Sequence, residues 1–203
     1  MRILYKDIYL RLLNAEDINE RYISWFNDDH VTEFLESRNF TVNESKDYLM
    51  KGQLNGDYYI FAICLTENNL HIGNIKIGPL KRKYGLSDLV TVIGDREYWG
   101  KNIASLAISK AIKIGFKCAK IRKFSASINS LNKGSIKAYL KGGFIEDAII
   151  PKYFLSIKNS KVIFSNKIFV GINNKEYDLD YFETWSPINK TSNFWKNFTI
   201  NES

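Results

Sequence analysis

The amino-acid sequence predicts an α+β domain built on a mixed, mostly antiparallel sheet of about seven strands, flanked by about four helices. Seven runs have the alternating or continuously apolar pattern of strands, and four stretches repeat apolar residues at helical spacings of three and four. One strand, helix, strand step near the middle of the chain predicts a parallel pair of strands joined by a crossover helix. These observations predict a three-layer arrangement.

The first half of the chain predicts one strand, two helices and then three further strands. Residues 7–13 alternate like a strand, and residues 15–28 and 41–53 predict helices, the second of them capped by Thr41 or Asn43. The three strand-like runs that follow are residues 58–65, 71–78 and 89–94. Turn-forming residues separate these runs, so we expect an antiparallel meander.

The second half begins with the predicted crossover helix. Residues 102–117 place their apolar residues on one helical stripe, and residues 123–128 read as the next strand. Residues 131–143 predict another helix, which ends in two glycines where a helix C-terminus favours them. The last two strands are predicted at residues 143–150 and 161–172.

We divide the chain into a domain at residues 1–172 and a C-terminal extension at residues 173–203. The extension is polar but rich in aromatic residues, which include Tyr177, Tyr181, Phe182, Trp185, Phe194 and Trp195. So many aromatic side chains are unfavourable in a free, solvated tail. The extension is therefore expected to dock on the domain or on a second subunit, and a homodimer is one such arrangement.

Charge and composition narrow the class of protein. The formal net charge of +7 favours an anionic partner, such as a phosphate-rich cofactor or a nucleotide-linked substrate. The basic residues are spread along the chain, which disfavours a nucleic-acid-binding module.

The two cysteines, Cys64 and Cys118, lie in apolar runs without metal-ligand spacing, so neither a disulfide framework nor a metal site is expected. Without a long apolar run, the expectation is a cytoplasmic protein with no membrane partner.

One glycine stands between an apolar strand and a long helix. Gly100 lies in the stretch DREYWGKNIASLAI, directly before the helix predicted at residues 102–117. A helix N-terminus offers unpaired amide groups and the positive end of the helix dipole, and a glycine allows close approach to them. This stretch predicts a binding site for a phosphorylated cofactor.

Two stretches resemble motifs of the GCN5-related N-acetyltransferase (GNAT) superfamily, in the branch of the ribosomal-protein N-terminal acetyltransferases. IGDREYWGKNIASLAI resembles the pyrophosphate loop R/Q-x-x-G-x-G/A, and NSLNKGSIKAYLKGGF resembles the segment N-x-x-(A/S)-x-x-x-Y-x-K-x-G-F. The resemblance covers residues 7–150 and the order of every element. It implies a GNAT-like fold with two splayed parallel strands, and an enzyme that moves acetyl directly from acetyl-CoA to a primary amine.

The first motif departs from the family pattern at two positions. Glu97 stands where arginine or glutamine is usual, and Asn102 replaces the second glycine. Asparagine is the best non-glycine residue for a left-handed backbone, so we expect the loop to keep its curvature.

The resemblance also implies a set of cofactor contacts. Main-chain N–H groups of the loop would hold the pyrophosphate, and the pantetheine would lie between residues 89–94 and 123–128. The expected contacts are Val92, Ile93, Trp99, Gly100, Lys101, Asn102, Ile103, Ala104, Asn132 and Ser135. For Asn132 the alternative is that its side chain merely caps the helix.

Acetyl transfer needs no enzyme nucleophile, because the substrate amine attacks the thioester. By resemblance, Tyr139 is the general acid toward sulfur; the alternative is a ring that only packs in the core. Asp88 is the leading candidate for the general base, with Asp95, Glu97 or a chain of water molecules as alternatives.

The acceptor is expected to contact residues near the first predicted helix: Trp25, Asn27, His30 and Glu33. Acidic groups there suit an ammonium group, and an aromatic ring can stack on a sugar. Core packing by Trp25 and helix capping by Asn27 are equally acceptable readings. The favoured acceptor is a nucleotide-linked or other amino sugar or a small amine. The alternatives are a protein N-terminus and an inactive CoA-binding member of the fold.

Overall fold

The computed structural model describes residues 8–35 and 40–176. Its strands are β1 Ile8–Leu12, β2 Tyr59–Leu65, β3 His71–Lys81, β4 Leu86–Ile93, β5 Lys123–Asn129, β6 Ile145–Lys158 and β7 Lys161–Asn173. Its helices are α1 Glu20–Phe26, α2 Asp29–Thr32, α3 Val42–Asn55, α4 Ile103–Lys117 and α5 Lys133–Lys141. The extension predicted to dock lies, apart from its first four residues, outside the described residues.

The seven strands form one mixed sheet in the order β1-β2-β3-β4-β5-β7-β6. Every neighbouring pair is antiparallel except β4 and β5, which are parallel and are joined by α4. This arrangement confirms the predicted class, the number of strands and the crossover helix.

The parallel pair separates soon after it begins. β4 and β5 pair only from Leu86 opposite Lys123 to Asp88 opposite Ser125. Beyond that point β4 continues along β3, and β5 continues along β7. The predicted splay is therefore confirmed, and it opens a gap between the two strands, which we call the β4–β5 gap.

Helices cover both faces of the sheet. On one face, α4 buries the predicted stripe of Ile103, Ala107, Ala111 and Ile114, each no more than 1% exposed. On the other face, α1 and α3 pack Trp25 and Leu49 against β2. α3 begins with a capping box between Thr41 and Glu44, which decides between the two predicted caps. The core is thus divided by the sheet into two layers.

The prediction of one continuous helix at residues 15–28 was wrong. A short 3-10 turn at Ala15–Asp17 is followed by α1 and then by α2, so residues 8–35 and 40–176 contain five α-helices. The side chain of Asn19 accepts a hydrogen bond from the backbone N–H of Tyr22, and Asp28 does the same for His30. Each of these caps starts a new helix, and the apolar spacing alone did not reveal them.

The hairpin of β6 and β7 is longer than predicted. β6 extends to Lys158, well past residue 150, although both faces of most of the strand are exposed. Backbone pairing with β7 continues to Lys158 opposite Lys161 and crosses a register shift between Ile150 and Phe154. Pairing, not burial, therefore sets its length.

No helix of the described residues is long and apolar enough to cross a membrane. Cys64 is buried and Cys118 half-buried, each as a free thiol. Within the same described ranges, no three His, Cys, Asp or Glu side chains are grouped so that they could hold a metal ion.

Candidate active site

A cavity of about 610 Å³ opens beside the β4–β5 gap. It is bounded by the end of β4, the start of α4, the inner face of α5 and the segment around α2. Nine of the ten predicted cofactor contacts line it: Val92, Ile93, Trp99, Gly100, Asn102, Ile103, Ala104, Asn132 and Ser135. The tenth, Lys101, does not line the cavity; its ammonium lies over the ring of Tyr98, 5.1 Å from the centroid.

The loop before α4 has the curvature expected of it. Gly100 has a φ of +73° and Asn102 a φ of +63°, so asparagine does adopt the left-handed backbone predicted for this position. A Cβ placed on Gly100 would meet no atom within 4 Å. The loop is therefore open on the side where a phosphate group has to approach.

Asn102 does not use its side chain to cap α4. Its Oδ1 accepts a hydrogen bond from Lys141 Nζ at 2.8 Å, which ties the loop to the end of α5. The N-terminal residues Ile103, Ala104 and Ser105 of α4 face the cavity. Their amide groups and the positive end of the helix dipole suit a diphosphate.

Three lysines of α5, Lys133, Lys137 and Lys141, also line the cavity and were missed by the sequence reasoning. They recur every four residues, which places them on one side of the helix. That spacing, next to a predicted phosphate loop, was the signal that could have found them. Lys141 lies next to the loop, so this lysine and the loop amides suit the phosphates of coenzyme A.

Side chains replace β5 as hydrogen-bond partners of β4 along the gap. The Tyr139 hydroxyl donates to the Leu89 carbonyl at 2.6 Å, and Trp99 Nε1 donates to the Ile93 carbonyl at 2.8 Å. On the other edge, Gly94 N–H donates to the β3 residue Ile72. Because carbonyl directions alternate along a strand, the carbonyl of Thr91, midway between Leu89 and Ile93, also points into the gap.

Thr91 is a cavity residue that the sequence reasoning did not identify. Its Oγ1 is buried and has no hydrogen-bond partner within the described residues. A buried hydroxyl without a partner is costly, so a ligand that supplies one is favoured there. The main chain and side chain of Thr91 therefore fit the amide-bearing pantetheine arm of the cofactor.

Tyr139 lies at the inner end of the cavity and is only 4% exposed. Burial raises the pKa of its phenol to about 12, and the neighbouring Thr91 has a smaller effect in the opposite direction. The hydroxyl is therefore protonated at neutral pH and can supply a proton. Its ring also packs edge-on against Phe144 at 5.1 Å, so packing and a chemical role are both compatible with this position.

Asn132 caps α5, since its Oδ1 accepts a hydrogen bond from Ser135 N–H at 3.0 Å. The structure therefore shows the helix-capping role that was the alternative for Asn132. Asn132 and Ser135 nevertheless both line the cavity, on the side of α5 that carries Tyr139.

The predicted acceptor residues divide into two groups. His30 and Glu33 line the cavity, whereas Trp25 and Asn27 do not. Trp25 is 4% exposed because its ring packs edge-on against His71 and its Nε1 donates to Asp95 Oδ1 at 3.0 Å. Asn27 is an exposed residue at the C-terminus of α1. Trp25 therefore packs in the core, and Asn27 lies at a helix end.

Asp88 lies at the closed end of the β4–β5 gap and does not line the cavity. Its carboxylate accepts a hydrogen bond from Ser125 Oγ at 2.8 Å. Glu33 is instead the only carboxylate among the described residues that line the cavity. Its Oε1 accepts a hydrogen bond from Lys158 Nζ, 2.7 Å away at the end of β6.

A family model described as an acetyltransferase (GNAT) domain matches residues 7–145 of the chain. Two curated relatives are similar over most of their length. An uncharacterized N-acetyltransferase, p20, of Bacillus licheniformis is 26% identical over 162 residues, which cover 75% of this chain and 88% of that protein. The SPbeta prophage-derived uncharacterized N-acetyltransferase YokL of Bacillus subtilis (strain 168) is 24% identical, covering 87% of this chain and 95% of that protein.

Solved structures share the fold at lower identity. Spermidine N-acetyltransferase from Vibrio cholerae, in complex with CoA and spermine, superposes with a TM-score of 0.73 at 17% identity, covering 84% of this chain and 97% of that one. Ribosomal-protein-S5-alanine acetyltransferase from Vibrio fischeri has a TM-score of 0.71 at 19% identity, covering 84% and 95%. The family match, the N-acetyltransferase relatives and the splayed strands lead to one conclusion: this chain belongs to the GNAT family and is an N-acetyltransferase that uses acetyl-CoA.

Proposed function

We propose that the chain transfers acetyl directly from acetyl-CoA to a small primary amine that is held as its ammonium by Glu33. Amino sugars, free or nucleotide-linked, and linear amines are the members of this class to be tried first. The observation that carries the proposal is Glu33, which follows α2 and is the only carboxylate among the described residues that line the cavity.

Different protein groups would hold the diphosphate and the pantetheine of the cofactor. The diphosphate would lie against Gly100 and the first turn of α4, with the lysines of α5 beside it. The pantetheine would follow the β4–β5 gap, where the main chain of Thr91 is the matching group. This arrangement would bring the thioester next to Tyr139.

In the transfer step, the amine nitrogen forms a bond to the acetyl carbon and the bond from that carbon to sulfur breaks. Tyr139 would give its phenolic proton to the departing thiolate. The amine must lose its own proton before it attacks, and we propose that water carries this proton away. Asp88, placed behind the cavity, would act as a base only through such water.

The first experiment is a free-thiol assay of the full chain with acetyl-CoA and a panel of polyamines, amino sugars, nucleotide-linked amino sugars and short peptides. The variant Glu33→Gln keeps the shape of the side chain but loses its charge. We expect it to raise the KM for the best amine about tenfold, with kcat at saturation and CoA affinity nearly unchanged. Glu67→Gln, which neutralises an exposed carboxylate in the turn between β2 and β3, outside the cavity, is the matched control.

A second variant tests the same contact from the other side. Lys158 holds the Glu33 carboxylate that an acceptor ammonium would use. Lys158→Met should therefore lower the KM for the amine, opposite in sign to Glu33→Gln. Equal KM values in both variants and the parent would rule out Glu33 as the amine site, and activity confined to peptides would assign a protein N-terminus as the acceptor.

A further inference from the structure

Thr91 carries a hydroxyl group beside Tyr139. Leu89 and Thr91 are two residues apart on β4, so their side chains lie on the same side of the sheet. Leu89 is fully buried in the core layer that contains Tyr139, and Thr91 lines the cavity together with Tyr139. The side chains of Thr91 and Tyr139 are therefore neighbours at the β4–β5 gap.

The Thr91 hydroxyl is close to the Tyr139 phenol but is not tied to another group. Its Oγ1 is buried and makes no hydrogen bond of ordinary geometry within the described residues. Burial raises the pKa of the Tyr139 phenol to about 12, the side chain and main chain of Thr91 lower it, and the Asp88 carboxylate raises it slightly. Among the groups that act on this phenol, Thr91 therefore favours the ionised form.

The hydrogen bond that Tyr139 makes before the reaction does not suit the phenolate that the reaction leaves. The hydroxyl donates to the Leu89 carbonyl at 2.6 Å, and this contact stabilises the protonated form. Once the proton has passed to the thiolate, the phenolate oxygen and the carbonyl oxygen are two acceptors with no hydrogen between them. A buried anion without a donor is costly, so a donor has to replace the lost contact.

We propose that Thr91 is a positioning residue, which donates hydrogen bonds to the Tyr139 phenolate through its hydroxyl and its main-chain N–H. That N–H points into the β4–β5 gap on the same edge as the Leu89 carbonyl, because both main-chain groups of every second strand residue lie on one edge. A hydroxyl has one hydrogen and two lone pairs. Thr91 Oγ1 can therefore donate to the phenolate while it accepts from an amide of the pantetheine arm.

The inference rests on the proposed role of Tyr139 as proton donor, and its proton balance closes. The O–H bond of Tyr139 breaks as the S–H bond of CoA forms, and the electron pair of the O–H bond stays on the phenolate oxygen. The proton lost by the amine returns to this oxygen through water before the next turnover. Thr91 keeps its own proton throughout and only turns it toward the phenolate.

A double-mutant cycle in the free-thiol assay of the full chain tests the coupling between the two residues. Thr91→Val removes the hydroxyl and keeps the branched shape, so kcat should fall about tenfold, with most of the loss in kcat and not in CoA affinity. Thr91→Ser keeps the hydroxyl and should restore most of the parent kcat. In the Tyr139→Phe background, Thr91→Val should lower kcat no further. A fall of equal size in both backgrounds would overturn the inference, because Thr91 would then act by packing alone.

A titration without turnover separates this inference from the proposed function. When 3,5-difluorotyrosine is incorporated at position 139, its more acidic phenol can be titrated by ¹⁹F NMR. The resonance should titrate at higher pH in Thr91→Val than with Thr91 in place, by about half a pH unit or more, whereas Thr91→Ser should cause little shift. An unchanged titration in Thr91→Val would overturn the inference even if amines are acetylated. A shifted titration together with an unchanged kcat in Tyr139→Phe would support the hydrogen bond and overturn only the proton-donor role.

Discussion

Tyr139 combines a buried position with a proton that stays on the phenol at neutral pH. Its hydroxyl donates a hydrogen bond to the Leu89 carbonyl at 2.6 Å and lies beside Thr91. A thiolate formed in the β4–β5 gap would offer this proton a second acceptor. The phenol would therefore already carry the proton that it donates.

Tyr139→Phe is expected to lower kcat about tenfold or more, because the proton donor to the thiolate is removed. Calorimetric titration with CoA should give nearly the parent affinity, since the ring and the diphosphate site remain. Tyr22→Phe is the matched control, because Tyr22 is a buried tyrosine outside the cavity. An unchanged kcat in Tyr139→Phe would remove the residue from the chemistry.

Gly100→Asn tests the phosphate site with little backbone strain, since asparagine tolerates the left-handed region and already occupies it at Asn102. The new side chain should enter the open space beside the loop, where we propose that the diphosphate binds, and weaken CoA binding about tenfold or more. Gly56→Asn, at a φ of +67° far from the cavity, carries the same backbone change and should leave CoA binding intact. Equal affinities in the two variants would contradict the placement of the diphosphate.

The limits of sequence reasoning are clearest for individual side chains. The resemblance placed most of the loop residues and Tyr139 beside one cavity because it fixes their spacing, and the left-handed Asn102 followed from its side chain. The sequence could not decide between the two alternatives for Trp25, because an indole that packs against His71 and hydrogen-bonds Asp95 has the same local sequence as one that faces a ligand. Thr91 was missed because nothing in a strand sequence tells which hydroxyl will lack a partner.

Among the elements, α1 and the loop before α4 are joined by one carboxylate. Asp95 accepts a hydrogen bond from Trp25 Nε1 at 3.0 Å and an ion-pair contact from Arg21, both on α1. α1 and the loop before α4, which lines the cavity, are thus held in one arrangement. The sequence predicted both elements, but a contact across seventy residues is set by the fold and could not be predicted from local pattern.

Asp95→Ala should loosen this loop and weaken CoA binding several-fold, while lowering the melting temperature slightly. Asp17→Ala removes the partner of Arg11, an ion pair of 2.6 Å that is remote from the cavity. The control should lose stability without losing CoA affinity. If both variants bind CoA like the parent, Asp95 has only a structural effect.

At the scale of the whole molecule, buried tyrosines make stability depend on alkaline pH. Burial raises the pKa values of Tyr22 and Tyr139 to about 12, above the value of about 10 expected in the unfolded chain. The folded state therefore keeps protons that the unfolded state loses. The stability from this source is complete below pH 10 and is lost as the pH rises from 10 through 12.

Urea unfolding at pH 8, 10, 11 and 12 checks this dependence. The free energy of unfolding of the parent should fall more steeply above pH 10 than that of Tyr22→Phe, by about 2 kcal/mol at pH 12. Tyr84→Phe, which replaces an exposed tyrosine, should follow the parent. Parallel curves for the parent and Tyr22→Phe would show that this tyrosine ionises equally in both states.

The overall architecture was predictable because strand alternation, helical spacing and the crossover rule act over many residues and agree with one another.

The separation of β4 from β5 has a further consequence for how the sequence of such a protein can change during evolution. The recognition groups along a gap between strands are peptide amides and carbonyls, which every amino acid carries. Side chains on these strands can therefore be replaced over time while the main-chain groups along the gap persist.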